Sequence, residues 1–167
     1  MPSNWLNVPH FLQELEYSCV AACARMVLAH YGDVRTEADL RRLLDTQPTG
    51  TRAGNLMRLS GVAFETQLRA SNLLEMQKVL ADNQPTILFL KTGSLGYWSM
   101  DIFHTAVLVG IDDQTVALND PYFATAPQTT SLQSLEKGMG PNRAVHGSCA
   151  TASNSANKML RSPVTSK

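Results

Sequence analysis

At 167 residues, with 44% hydrophobic and 17% charged residues, the chain can fold as one domain around a sizeable core. Its formal net charge of +0 argues against a nucleic-acid partner. No stretch resembles a transmembrane span or a signal peptide, and the three cysteines lack zinc-type C-x-x-C pairs, so we expect a reduced thiol protein of the cytoplasm.

The first predicted element is a helix over residues 18–31. Its apolar positions recur at steps of three or four: Cys19, Val20, Cys23, Met26, Val27 and Tyr31. Ser18 is the candidate N-cap, and Gly32 can stop the helix because glycine adopts the left-handed conformation without a clash. Cys19 would then lie in the first turn, where the helix dipole favours a thiolate. The alternative is that Cys19 and Cys23 are small buried hydrophobic residues.

Further helices and one strand are expected before residue 85. Thr36 can cap a second helix over 37–44, because Asp39 follows at capping-box spacing. Alternating apolar residues predict a strand over 62–69, and Ser71 can cap a helix over 72–82. A loop over 45–52 and a short helix over 53–59, closed by Gly61, complete this half.

The second half of the chain reads as an antiparallel sheet. Residues 86–91 and 103–111 are apolar on both faces, which is typical of central strands. Asp112 and Asp113 turn the chain into a returning strand over 115–120. Helices followed by an antiparallel sheet predict an α+β domain.

This hairpin predicts a histidine–carboxylate pair. If the turn centres on residues 112–113, His104 faces about Pro121, so Asp120 lies at the same end. A carboxylate there can fix the imidazole tautomer and leave the other ring nitrogen for a thiol. Gln13 could offer its amide to an oxyanion, with the backbone N–H of Cys19 as the second donor. Taken singly, each of these residues is more often structural than catalytic.

The order of these residues resembles a known family. Gln13, five residues, Cys19 and the run AACARMVLAHYG look like the N-terminal box of the bacteriocin-processing peptidases, which are papain-like cysteine peptidases that cut double-glycine leader peptides. The stretch HTAVLVGIDD from His104, and Asn-Asp-Pro at 119–121, are similar to that family's histidine and aspartate boxes. The resemblance covers about residues 8–125. It implies a papain-like fold with Cys19 as nucleophile, His104 as general base and acid, Asp120 as orienter and Gln13 in the oxyanion hole.

The implied activity is hydrolysis of a peptide or amide bond, on a peptide or protein substrate, without a metal or organic cofactor. Alternatives are a non-catalytic module that binds a peptide in the same cleft, and an amide hydrolase or acyltransferase with the same triad. The sequence contains neither transmembrane spans nor a GxxxxGK[ST] loop, so no fused transporter is expected in this chain and a leader-peptide substrate does not follow. Tyr97 and Trp98 could line the substrate cleft or pack on the core.

Two departures from the family pattern are visible. Val20 stands where the family usually has glycine, which could narrow the cleft. Residues 1–137 are predicted to form the peptidase domain, and residues 138–167 read as a disordered or atypical tail because they show no strand or helix periodicity. We therefore expect the family's closing strand to be missing, so that one sheet edge is uncovered.

Overall fold

The computed structural model of the protein describes residues 5–60, 65–140 and 145–150. Its helices are α1 (Cys19–His30), α2 (Glu37–Leu43), α3 (Leu73–Ala81) and α4 (Leu132–Met139), with 3-10 helices over Ala53–Leu59 and Thr92–Ser94. Its strands are β1 (Glu65–Ala70), β2 (Thr86–Lys91), β3 (Phe103–Ile111), β4 (Thr115–Asn119), β5 (Gln128–Ser131) and β6 (Val145–Ala150). Within these ranges, the helices are too short or too polar to cross a membrane.

The strands form one antiparallel sheet in the order β1-β6-β2-β3-β4-β5. The prediction that β2 and β3 are central is confirmed. Their side chains alternate between two cores: Ile87 and Val107 pack in the core that contains α1, whereas Leu88 and Leu108 pack in the core that contains residues of α3 and α4. Because helices cover both faces, these strands are apolar along almost their whole length.

The N-terminal helices form where the sequence predicted them. α1 ends before Gly32, whose φ of 86° is the left-handed conformation expected of a helix stop. The Thr36 side chain accepts the N–H of Asp39 and so caps α2. The predicted cap of α3 is wrong by one residue: Asn72, not Ser71, forms the capping box, because its side chain and that of Glu75 accept each other's backbone N–H groups.

The strand prediction needs two corrections. β5 was missed, and β6 lies within residues 138–167, where no strand was expected. β6 pairs with β1 and with β2. The expectation that the closing strand is missing is therefore wrong. Strand pairing uses backbone N–H and C=O groups, which a segment such as VHGSCA can supply without apolar alternation. Residues 62–64 of the strand predicted over 62–69, the predicted helix stop Gly61, and residues 141–144 and 151–167 of the predicted tail lie outside the described residues.

The β3–β4 hairpin brings two polar residues to one end of the sheet. Val107 pairs with Asn119, so His104, three residues before Val107, and Asp120, directly after Asn119, lie at the same end. Asp112 stabilises the turn between β3 and β4, because its carboxylate accepts the N–H groups of Gln114 and Thr115. The predicted proximity of His104 and Asp120 therefore follows from the strand register.

Candidate active site

Cys19 is the first residue of α1 and is partly exposed. The Ser18 side chain does not cap α1. Its Oγ instead accepts the N–H of Leu15 at 3.0 Å and donates to the Leu15 carbonyl at 2.9 Å. This closes the turn that precedes Cys19. The thiol therefore lies at the positive end of the helix, where backbone N–H groups have no partner within the helix.

His104 and Asp120 are in direct contact. Nε2 of His104 lies 2.7 Å from Oδ1 of Asp120, and both side chains are almost fully buried. The remaining ring nitrogen, Nδ1, is left for Cys19, which lines the same cleft as His104. The imidazole thus bonds the carboxylate on one side and lies close enough to the thiol to influence its charge.

Asp120 also accepts three further hydrogen bonds. The Tyr122 N–H donates to Oδ1 at 3.0 Å, while Trp98 Nε1 and the Tyr97 hydroxyl donate to Oδ2 at 2.9 and 3.2 Å. The Trp98 ring also packs edge-on against the His104 ring, with 4.9 Å between centroids. Four donors therefore hold the buried carboxylate in its ionised form and in one orientation.

The charges of these groups stabilise one another. Burial alone raises the pKa of the Cys19 thiol, but the hydrogen bond and charge of His104, with hydrogen bonds to Thr105, hold it below the ordinary value of 9.0. Burial lowers the pKa of His104, but Asp120 and Cys19 raise it from 6.5 to about 9. Burial raises the pKa of Asp120, but His104 holds it below its ordinary value of 3.8. A thiolate beside an imidazolium is the reactive form of a cysteine nucleophile.

Cys23, one turn further along α1, is fully buried. Its Sγ donates to Thr105 Oγ1 at 3.7 Å, and burial together with the neighbouring Cys19 raises the pKa of Cys23 well above 9.0. A buried thiol with a raised pKa is inert. The two cysteines of α1 therefore differ in chemistry, and Cys23 packs as predicted.

A cleft of about 550 Å³ opens at Cys19 and His104. Val20, Phe89, Leu90, Phe103 and Met139 give it an apolar lining, and Arg52, Lys91 and Lys137 add positive charge. Val20, the residue after Cys19, belongs to the lining, although its side chain is almost fully buried. Tyr97 and Trp98 do not line this cleft. They belong to the second core and to the surroundings of Asp120, which is the packing alternative.

Gln13 lies next to the residue that follows Asp120, but its side-chain amide bonds the turn in which Gln13 itself lies. Its backbone N–H donates to the Pro121 carbonyl at 2.8 Å, and its side-chain Nε2 donates to the carbonyls of Leu15 and Glu16 at 2.8 and 3.0 Å. Its Oε1 is buried without a hydrogen-bond partner among the described residues. Gln13 does not line the cleft, as far as the described residues define it.

The chain also matches the model of a known protein family. The model of the peptidase C39 family matches residues 7–139, which is most of the chain. The chain belongs to the peptidase C39 family. This confirms the resemblance inferred from the sequence boxes, and membership supports a cysteine peptidase. No curated protein matches the chain.

Solved structures of C39 peptidases share the fold. A protein from Bacillus anthracis, described as a C39-like peptidase, is 13% identical with a TM-score of 0.71, and the match covers 89% of this chain and 98% of that one. The peptidase domain of Streptococcus ComA, a bifunctional ABC transporter of a quorum-sensing pathway, is 19% identical with a TM-score of 0.69, covering 87% and 100%. A double-glycine-motif protease from an AMS/PCAT transporter, solved with its leader peptide, is 18% identical with a TM-score of 0.68, covering 89% and 96%. These likenesses confirm the predicted C39 papain-like fold.

Sequence reasoning did not predict the contacts of three residues around the candidate site. Thr105 accepts a hydrogen bond from the Cys23 thiol and lines the cleft beside Cys19. It directly follows His104 in the predicted strand, and this adjacency was a signal that could have indicated it. Tyr97 and Trp98 were weighed as cleft residues, not as donors to Asp120. No sequence signal indicates those bonds, because the donors and the carboxylate meet only when the 92–102 loop folds over the hairpin.

Proposed function

We propose that the protein is a cysteine peptidase that hydrolyses peptide bonds through Cys19, His104 and Asp120. One observation carries the proposal. A thiol at a helix N-terminus and an imidazole open into one cleft, and a nitrogen of that imidazole bonds a buried carboxylate. The structural neighbour that was solved with its leader peptide supports a peptide as the substrate class.

In the proposed reaction, the Cys19 thiolate attacks the carbonyl carbon of the scissile bond, and the C=O electron pair moves onto oxygen. When the tetrahedral intermediate collapses, the C–N bond breaks and His104 gives its proton to the leaving amine. A water molecule, deprotonated by His104, then attacks the thioester. The C–S bond breaks, which releases the acid and restores the thiolate. Asp120 keeps the imidazole oriented and favours its charged form.

Two groups are proposed to stabilise the oxyanion. The backbone N–H of Cys19 is available because the first amides of a helix have no intrahelical partner. The Gln13 amide is the second donor, and it would exchange its bond to Leu15 or Glu16 for one to the substrate oxygen. Gln13 therefore has to reorient when substrate binds.

The test is cleavage of a synthetic peptide mixture, followed by mass spectrometry. The wild-type protein should cut a reproducible set of bonds, and Cys19→Ala should abolish all of these cuts. The matched control is Cys23→Ala, one turn away on the same helix, which should retain them because Cys23 is buried and inert. Cleavage that survives Cys19→Ala, or an intact peptide mixture in the presence of wild-type protein, would overturn the proposal.

A further inference from the structure

The cleft at Cys19 has an uneven charge distribution. The chain as a whole has a formal net charge of +0, yet Arg52, Lys91 and Lys137 line this cleft, and no Asp or Glu is found among its described lining residues. The cations come from three different elements: Arg52 precedes the first 3-10 helix, Lys91 ends β2 and Lys137 lies in the last turn of α4. The positive charge is therefore a local property of the cleft.

Two of these cations have no carboxylate partner in the part of the chain that the structure describes. Arg52 and Lys137 are exposed and form no ion pair there. Lys91 pairs with Asp101 at 3.7 Å, but both side chains are about half exposed, so this pair is weak and easily exchanged. The cleft can therefore take up anionic groups without first breaking a strong internal salt bridge.

The remaining lining indicates what carries those anionic groups. Val20, Phe89, Leu90, Phe103 and Met139 are apolar, and Phe103 is 83% exposed at the cleft. A cleft lined by both apolar residues and cations complements a peptide in which apolar and acidic side chains are mixed, rather than a phosphate-rich ligand. A free chain terminus supplies one carboxylate at one place, whereas the cations come from three elements. Side-chain carboxylates match this arrangement better.

From this complementarity we infer that the cleft selects peptides with Glu or Asp side chains close to the scissile bond. Arg52 and Lys137 bind these carboxylates. The inference rests on the proposed function, since it takes the cleft at Cys19 to be the peptide site. It adds a substrate preference that is set by charge. Such a preference should weaken as salt is added, because exposed charges are screened.

The test measures binding separately from cleavage. The Cys19→Ala protein is titrated by calorimetry with octapeptides of alternating Leu and Ala that carry either two Glu or two Gln at the centre, with blocked ends. The Glu peptide should bind about 2- to 30-fold more tightly at low salt, since each exposed ion pair contributes roughly 1.4- to 5-fold. The preference should disappear when Arg52→Gln and Lys137→Gln are added, and it should survive the matched control Lys78→Gln, an exposed lysine of α3 outside the cleft.

Several results would overturn the inference. Equal binding of the Glu and Gln peptides would do so, and so would a preference that survives loss of both cations. A third result concerns a Gln peptide with a free C-terminal carboxylate. If it binds as well as the blocked Glu peptide, the cleft recognises a C-terminal carboxylate instead. Glu-selective binding without any cleavage by the wild-type protein would sink the proposed peptidase function while leaving the charge preference intact.

Discussion

Replacing Asp120 with asparagine should damage both the fold and the site, because the Asp120 carboxylate accepts four hydrogen bonds. Asparagine keeps the shape but replaces one acceptor oxygen with an NH₂ donor. If that NH₂ takes the place of Oδ2, it faces the N–H of Trp98, which can only donate. If it takes the place of Oδ1, it faces the N–H of Tyr122 and makes Nε2 of His104 an acceptor. Either way, at least one buried donor loses its partner.

The expected loss of stability follows from this one unsatisfied donor. One unsatisfied buried donor lowers the free energy of unfolding by about 1–3 kcal/mol. The change also removes the carboxylate charge that helps to raise the pKa of His104 to about 9, so the imidazolium beside Cys19 becomes less stable. Loss of correctly oriented general acid–base catalysis costs roughly 10²- to 10⁴-fold in kcat/KM.

The pH dependence of the stability loss has a definite sign. A raised His104 pKa stabilises the folded state below 6.5, and this contribution is lost as pH rises through about 9. The lowered pKa of Asp120 stabilises the folded state above 3.8 and is lost below it. The difference in unfolding free energy between wild type and Asp120→Asn should therefore be largest between about pH 4 and 6.5 and should shrink toward pH 9 and above.

Two assays check this prediction: urea unfolding across pH, and kcat/KM on a peptide that the wild type cleaves. The control is Asp113→Asn, an exposed carboxylate at the β3–β4 turn, which should change neither quantity appreciably. The reasoning is refuted if Asp120→Asn retains kcat/KM within about threefold, or if its stability loss grows between pH 6.5 and 9.

Three further substitutions probe separate parts of the account. Gln13→Ala should lower kcat roughly 10²-fold or more if its amide stabilises the oxyanion. Trp98→Phe keeps the ring but removes one donor to the buried Asp120 carboxylate, so the free energy of unfolding should fall by about 1.5–3 kcal/mol in urea titration. Gly110→Ala should lower it by about 1–3 kcal/mol, because a Cβ there would overlap the Trp5 indole ring.

For each of these three substitutions, one result would contradict the reasoning. An unchanged kcat for Gln13→Ala, with reduced stability alone, would mean that Gln13 only braces the turn before α1. Equal unfolding free energies of Trp98→Phe and wild type would mean that the indole N–H contributes nothing to holding Asp120. For Gly110→Ala, the control is Gly54→Ala in the first 3-10 helix, where a Cβ meets no neighbour, and equal losses for both would contradict the steric argument.

Much of the fold was predictable because its central elements carry strong local patterns. α1 has a clear helical repeat and a glycine stop, and β2 and β3 are apolar on both faces because helices cover both faces of the sheet. β5 and β6 were missed because QTTS and VHGSCA lack apolar alternation, and their places in the sheet depend on backbone pairing with strands already formed.

The site was predictable to the extent that chain order and hairpin register determine it. The register places His104 beside Asp120, and the start of α1 exposes Cys19, so the structure brings all three together. Gln13 is adjacent, but its amide is engaged by its own turn, and its oxyanion role stays a prediction. The cations of the cleft come from three distant segments, and no local pattern indicates that they meet.

The most direct test of the account is the pH dependence of Cys19 alkylation by iodoacetamide, followed by peptide mass spectrometry in wild type and His104→Ala. Cys23 is an internal control, because burial should keep it unlabelled. The wild type should label Cys19 with an inflection below pH 9.0, since His104 holds the thiol pKa down. In His104→Ala, the hydrogen bond and the charge of His104 no longer lower the Cys19 pKa, so the inflection should move to higher pH. An inflection that does not move would show that Cys19 and His104 do not form a reactive pair.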